Sequence, residues 1–126
     1  MMIKIVVSGD VVPAARPRFG AGRCYQPPRN VEYRRRIQAS AVAAMDGREP
    51  LKGEISAAVK LYRKYKPACR QFGDCDNHLK ALFDGLNQIV FDDDSQITRC
   101  VVEKFSDKEQ PRAEIEIEPR ESLKTP

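Results

Sequence analysis

The sequence predicts an α/β (α+β) domain, with one mixed sheet carrying two helices in the order β-α-β-α-β-β. Three observations predict it. Four segments show the two-residue alternation or the Ile/Val richness of strands. Two longer segments repeat their apolar residues at helical spacing. The 126 residues, 41% hydrophobic and 32% charged, suit one unit with a real core.

Residues 2–8 (MIKIVVS) read as the first strand and not as a signal peptide, because a basic start and a small-residue cleavage site are lacking. Residues 10–28 hold Pro13, Pro17, Pro27, Pro28, Gly20 and Gly22 and read as a long loop. Asn30 is suited to cap a helix running to about Met45, with Val31, Ile37, Ala41, Val42 and Met45 inward, Arg34, Arg35 and Arg36 mostly outward, and Gly47 and Pro50 ending it. Residues 54–62 alternate, with Ile55, Ala57, Val59 and Leu61 on one side. Leu79, Leu82, Phe83, Leu86 and Ile89 mark a second helix over 76–89. Residues 96–105 form a strand, 107–111 turn, and 112–118 form the last strand with Ala113, Ile115 and Ile117 inward. The domain spans 1–119, and 120–126 are a polar tail. Two helices can cover one face of such a sheet; a dimer would close the other.

The net charge of +4 hides a strong asymmetry. Residues 1–73 carry 15 Lys/Arg against 5 Asp/Glu, and residues 74–126 carry 7 against 13. A basic half joined to an acidic half suggests a polyanion-binding surface beside a cation-holding site. The basic residues fall in three clusters: Arg16, Arg18, Arg23 and Arg29, interleaved with Phe19 and Tyr25; Arg34 to Arg36; and Lys60, Arg63, Lys64, Lys66 and Arg70. Arginine forks match phosphate oxygens, and aromatic rings can stack on bases. No apolar run is long enough to span a membrane.

The acidic segment is 73–97, GDCDNHLKALFDGLNQIVFDDDSQI. Asp74 and Asp76 lie two apart, and Lys80 follows Asp76 by one helical turn. Asp92, Asp93 and Asp94 come where the chain turns into a strand. If helix start and strand start are neighbours, five carboxylates crowd one spot. A divalent cation would keep such a cluster ionised, and oxygen donors favour Mg²⁺ or Mn²⁺ over zinc. The same residues have ordinary structural uses. Asp76 can cap a helix, Asp92 to Asp94 can make a turn, and Lys80 can pair with Asp76 or Asp84. Those uses would leave a non-catalytic branched-DNA-binding protein. Cys69, Cys75 and His78 suggest a third option, a zinc-stabilised interaction protein, although their spacing does not fit the common zinc patterns.

Taken together, Arg16-Pro17-Arg18-Phe19, Asp74-Cys75-Asp76-Asn77 with Lys80, and Asp93-Asp94-Ser95-Gln96-Ile97 resemble the RusA family of Holliday-junction resolvases. The likeness runs from about Ile3 to Ile117. It implies a homodimer that uses Mg²⁺, with Mn²⁺ as a substitute and no organic cofactor. It implies paired symmetric nicks in four-way DNA junctions, in recombination and repair. It further implies that Asp74, Asp76 and Asp94 are catalytic carboxylates and metal ligands, with Lys80 the catalytic lysine and Asp93 assisting. The extra Asp92 leaves the register of the third ligand open by one residue. Such proteins act in the cytoplasm of bacteria, with their phages or prophages.

Overall fold

The computed structural model describes residues 1–15 and 18–121, with only the backbone of 18 and 19. Strand β1 is Ile3–Ser8, helix α1 Pro28–Met45, strand β4 Ile55–Arg63, helix α2 Cys75–Leu86, strand β5 Ile97–Ser106 and strand β6 Arg112–Pro119. Between β1 and α1, Arg18–Gly20 (β2) and Arg23–Tyr25 (β3) form a small antiparallel hairpin. The main sheet has the order β1-β6-β4-β5 and is mixed. β6 is antiparallel to both β1 and β4, whereas β4 and β5 are parallel and joined across α2.

One sheet face makes the core. Ile3, Ile5 and Val7 of β1, Ile55, Ala57, Val59 and Leu61 of β4, and Ala113, Ile115 and Ile117 of β6 are all buried. Against them lie Tyr33, Ile37, Ala41 and Met45 of α1, and Leu82, Phe83 and Leu86 of α2. The two helices meet at Gly85, where an added Cβ would sit 2.6 Å from Ile37 Cγ2. The opposite face is partly polar. Lys4 stands beside Glu116 and Lys60 beside Glu114, and Tyr62 stacks on Phe105 with ring centroids 5.1 Å apart. Among the described residues, no helix is long and apolar enough to cross a membrane.

Several expectations need correction. Residues 18–25 are not irregular: Ala21 and Gly22, both at positive φ, make the two-residue turn of the β2–β3 hairpin. Asn30 does not cap α1. The helix starts at Pro28, whose missing N–H needs no partner in the first turn, and Asn30 Nδ2 donates to Pro13 O at 3.1 Å. Val31 and Val42 are exposed, because the inward stripe is Tyr33, Ile37, Ala41 and Met45 at four-residue steps. Helix α2 starts one residue earlier than expected and ends at Leu86, so Ile89 lies beyond it. Of the expected tail, Arg120 N still donates to Glu54 O at 2.9 Å, and 122–126 lie outside the described residues.

Candidate active site

The β4–α2–β5 crossover decides where the acidic residues lie. The chain leaves β4 at Arg63, turns through 70–72, and enters α2 at the carboxyl end of the parallel pair. Two bonds fix that position: Arg63 Nη1 donates to Phe72 O at 2.8 Å, and Lys104 Nζ of β5 donates to Gly73 O at 3.1 Å. Open α/β sheets commonly bind ligands at this edge. Asp74 is the residue before α2, and Asp76 lies in its first turn. Asp74 has extended backbone, with φ −74° and ψ 146°, so the pair straddles the helix entry. Lys80 follows one turn along the Asp76 face.

The structural uses weighed for these side chains are not taken up. Asp74 makes no capping hydrogen bond. Among the described residues, the side chains of Asp74, Asp76 and Lys80 form no hydrogen bond or ion pair, and all three residues are exposed. Asp84, one of the expected lysine partners, instead faces Arg34 at 3.9 Å. Two exposed, unengaged carboxylates at a helix start suit a hard divalent cation. Mg²⁺ is commonly held by one or two carboxylates with water completing its shell.

Asp92 to Asp94 lie elsewhere. They precede β5, at the amino end of the parallel pair, while the α2 entry is at the carboxyl end. The helix of 12 residues between them is about 18 Å long. The expected meeting of five carboxylates therefore does not occur within one chain, and among the described residues no three such groups are placed to hold a metal. The physical reason is the crossover: a helix returning the chain between parallel strands puts its start and the next strand's start at opposite ends.

Within this second cluster the three aspartates differ. Asp92 pairs with Lys52 at 2.7 Å. Asp93 accepts from Ser95 N at 3.0 Å, and hydrogen bonding from Ser95 holds its carboxyl below the usual carboxylate range. Asp94 is exposed, and among the described residues its side chain has no partner. Gln96 holds the turn. Its Oε1 accepts from Asp92 N at 2.8 Å and Asp93 N at 2.9 Å, and its Nε2 donates to Leu51 O and Gly53 O, both at 2.9 Å. Sequence reasoning gave Gln96 no role; its signal was the three-residue spacing of a capping box from Asp93.

The basic residues divide similarly. Arg23 on β3, Arg29 on α1, and Lys64, Lys66 and Arg70 before α2 are exposed. Arg16 and the side chain of Arg18 lie outside the described residues, but Ala14 N donates to Asn77 O at 2.9 Å. The chain therefore reaches residue 15 beside the first turn of α2. Arg63 is a correction: it was expected on a basic surface and is only 4% exposed. It pairs with Asp10 at 3.1 Å and donates to Gln71 O and Phe72 O, which leaves it unavailable to a phosphate. The zinc option fails on similar grounds. His78 is fully buried, its Nε2 donates to Phe72 O at 2.6 Å, and burial lowers its pKa and keeps the ring neutral.

A β-α-β crossover bearing two free carboxylates and a lysine, with basic segments beside it, has the parts of a metal-assisted nuclease. Comparison with known proteins gives the class. The family model "Endodeoxyribonuclease RusA" matches residues 8–118, and the chain belongs to that family of junction-resolving endonucleases. It is also similar to "Uncharacterized protein YqaN" of Bacillus subtilis (strain 168), with 30% identity over 135 residues covering 91% of this chain and 94% of that one.

Proposed function

We propose that the chain is a Mg²⁺-dependent structure-specific endonuclease that resolves four-way DNA junctions by paired symmetric nicks. It serves recombination and repair in the cytoplasm of a bacterium, or there for a phage. The observation that carries this is the state of Asp74, Asp76 and Lys80: exposed, gathered within the start of α2, and with side chains unengaged among the described residues at the carboxyl edge of the parallel strands.

Asp74 and Asp76 hold the cation, and Asp94 supplies the third carboxylate. These carboxylates would place the ion against the phosphate, where it would supply charge neutralisation and a more acidic water. Lys80 steadies the developing charge on the scissile phosphate. Arg16, Arg18, Arg23, Arg29, Lys64, Lys66 and Arg70 hold the arms through phosphates, which positions the junction without reading its sequence. Asp94 and the Asp74/Asp76 pair lie at opposite ends of one chain's crossover, so a homodimer brings Asp94 of one copy to the pair of the other.

The test compares a synthetic four-way junction with linear duplex, in Mg²⁺ and in EDTA, for the natural protein and Asp76→Asn. Symmetric nicks in the junction alone, lost in EDTA and in Asp76→Asn, are expected. Tight junction binding with no nick in Mg²⁺ or Mn²⁺ would reduce the protein to a DNA-binding module.

A further inference from the structure

Three consecutive carbonyls lead into Asp74, and each accepts a hydrogen bond from a side chain brought from elsewhere in the fold. Gln71 O accepts from Arg63 Nη1 at 3.1 Å. Phe72 O accepts twice, from Arg63 Nη1 at 2.8 Å and from His78 Nε2 at 2.6 Å. Gly73 O accepts from Lys104 Nζ at 3.1 Å. The donors come from the end of β4, from α2 and from β5. Phe72, itself fully buried, lies against all three, with Lys104 Nζ 5.1 Å and the Arg63 guanidinium 6.0 Å from its ring centroid and His78 meeting it edge-on. Gly73 closes the arrangement at φ +97°, where an added Cβ would lie 2.8 Å from His78 Nε2 and 3.1 Å from Pro13 Cγ. The next residue is Asp74.

We propose that Lys104, Arg63 and His78 are positioning residues for the metal-binding pair, holding the carbonyls of 71–73 so that Asp74 leaves the turn in one direction. The proposal rests on the nuclease reading above. Residues 70–72 form a single 3-10 turn whose own backbone bonds end on Cys69 O and Arg70 O, so the carbonyls of 71–73, and hence the aim of the next side chain, are held by the side chains that bind them. Partners behind metal ligands commonly control affinity in this way. Nothing in the sequence marks Lys104 for this role except that a charged residue falls on the sheet side carrying Leu61 and Val102.

Lys104 gives the cleanest test, because it is half-buried and its loss leaves no buried charge unpaired. Lys104→Met keeps the aliphatic stem over Phe72 and removes the donor. Coulomb's law alone predicts that deleting a cation near a metal site tightens metal binding. Positioning predicts the opposite. Three proteins are titrated calorimetrically with MnCl₂ in the absence of DNA: the natural chain, Lys104→Met and Lys104→Arg. The expected result is about a tenfold weaker Kd for Lys104→Met, recovery to within about threefold in Lys104→Arg, and a matching rise in the Mg²⁺ needed for half-maximal junction cutting. Junction affinity in EDTA should stay within about twofold. Thermal melting of each variant shows that it folds. Unchanged or tighter Mn²⁺ binding by folded Lys104→Met would overturn the proposal. Failure of the natural chain to bind Mn²⁺ at all would overturn the nuclease reading on which the proposal rests.

Discussion

At residues 92–94, two of three consecutive carboxylates are committed inside the chain and one is not. Asp92 holds Lys52, Asp93 holds the turn through Ser95, and Asp94 is left over. Chemistry at this turn should follow that division. Asp94→Asn is expected to lower junction cutting about 100-fold or more, roughly 3 kcal/mol of transition-state stabilisation, with folding intact. Asp92→Asn removes an ion pair whose partners are both more than half exposed, so stability should move by less than about 0.5 kcal/mol and cutting by less than about twofold. Single-turnover rates and urea melts of both variants check the pair. Equal loss in both would mean that the turn acts as a unit. Arg63 is likewise committed inside the chain. Its neighbours in sequence, Lys60, Lys64 and Lys66, are exposed, and nothing local distinguishes it from them. Its buried position comes from Asp10, 53 residues away, and from two carbonyls of a turn whose path no periodicity describes.

The secondary-structure elements are set by patterns of different strength. Strands β4 and β6 were legible because every second residue is apolar and buried. Helix α2 was legible because Leu82, Phe83 and Leu86 share one face. Helix α1 was legible as a helix but not in its rotation, since Val31 and Val42 are as apolar as the residues that pack. The sheet chose Tyr33, whose ring offers more area than either valine. That β4 and β5 run parallel was not legible, and it is this pairing that separates Asp94 from Asp74. The acidic residues were thus readable from sequence, whereas their grouping was not. Helix packing gives a direct stability test. At Gly85 the two helices approach so closely that a methyl group would meet Ile37 Cγ2 at 2.6 Å in the core. Gly85→Ala raises intrinsic helix propensity but overpacks the contact. Stability should fall by about 1–3 kcal/mol, read from the urea midpoint at unchanged slope. A gain in stability would mean that α1 shifts freely over α2.

The whole molecule has the charge distribution of a protein that holds both a polyanion and a cation, with basic segments leading up to the acidic helix entry. A single chain presents Asp74 and Asp76 at one end of the crossover and Asp94 at the other, roughly 20 Å away along the helix and strands. A nuclease site made of all three requires two copies, and a two-fold dimer would then have two such sites for the two nicks of a symmetric junction. Mixing inactive subunits tests this most directly. Asp76→Asn and Asp94→Asn proteins are each assayed alone on a four-way junction in Mg²⁺, then unfolded together and refolded as a mixture. If the site is shared, mixed dimers carry one site with every carboxylate intact and one with two lost. Nicking is expected to return in the mixture, confined to one strand per junction, while each parent stays inactive. A refolded mixture that forms mixed dimers, binds the junction and still does not nick would contradict a shared site.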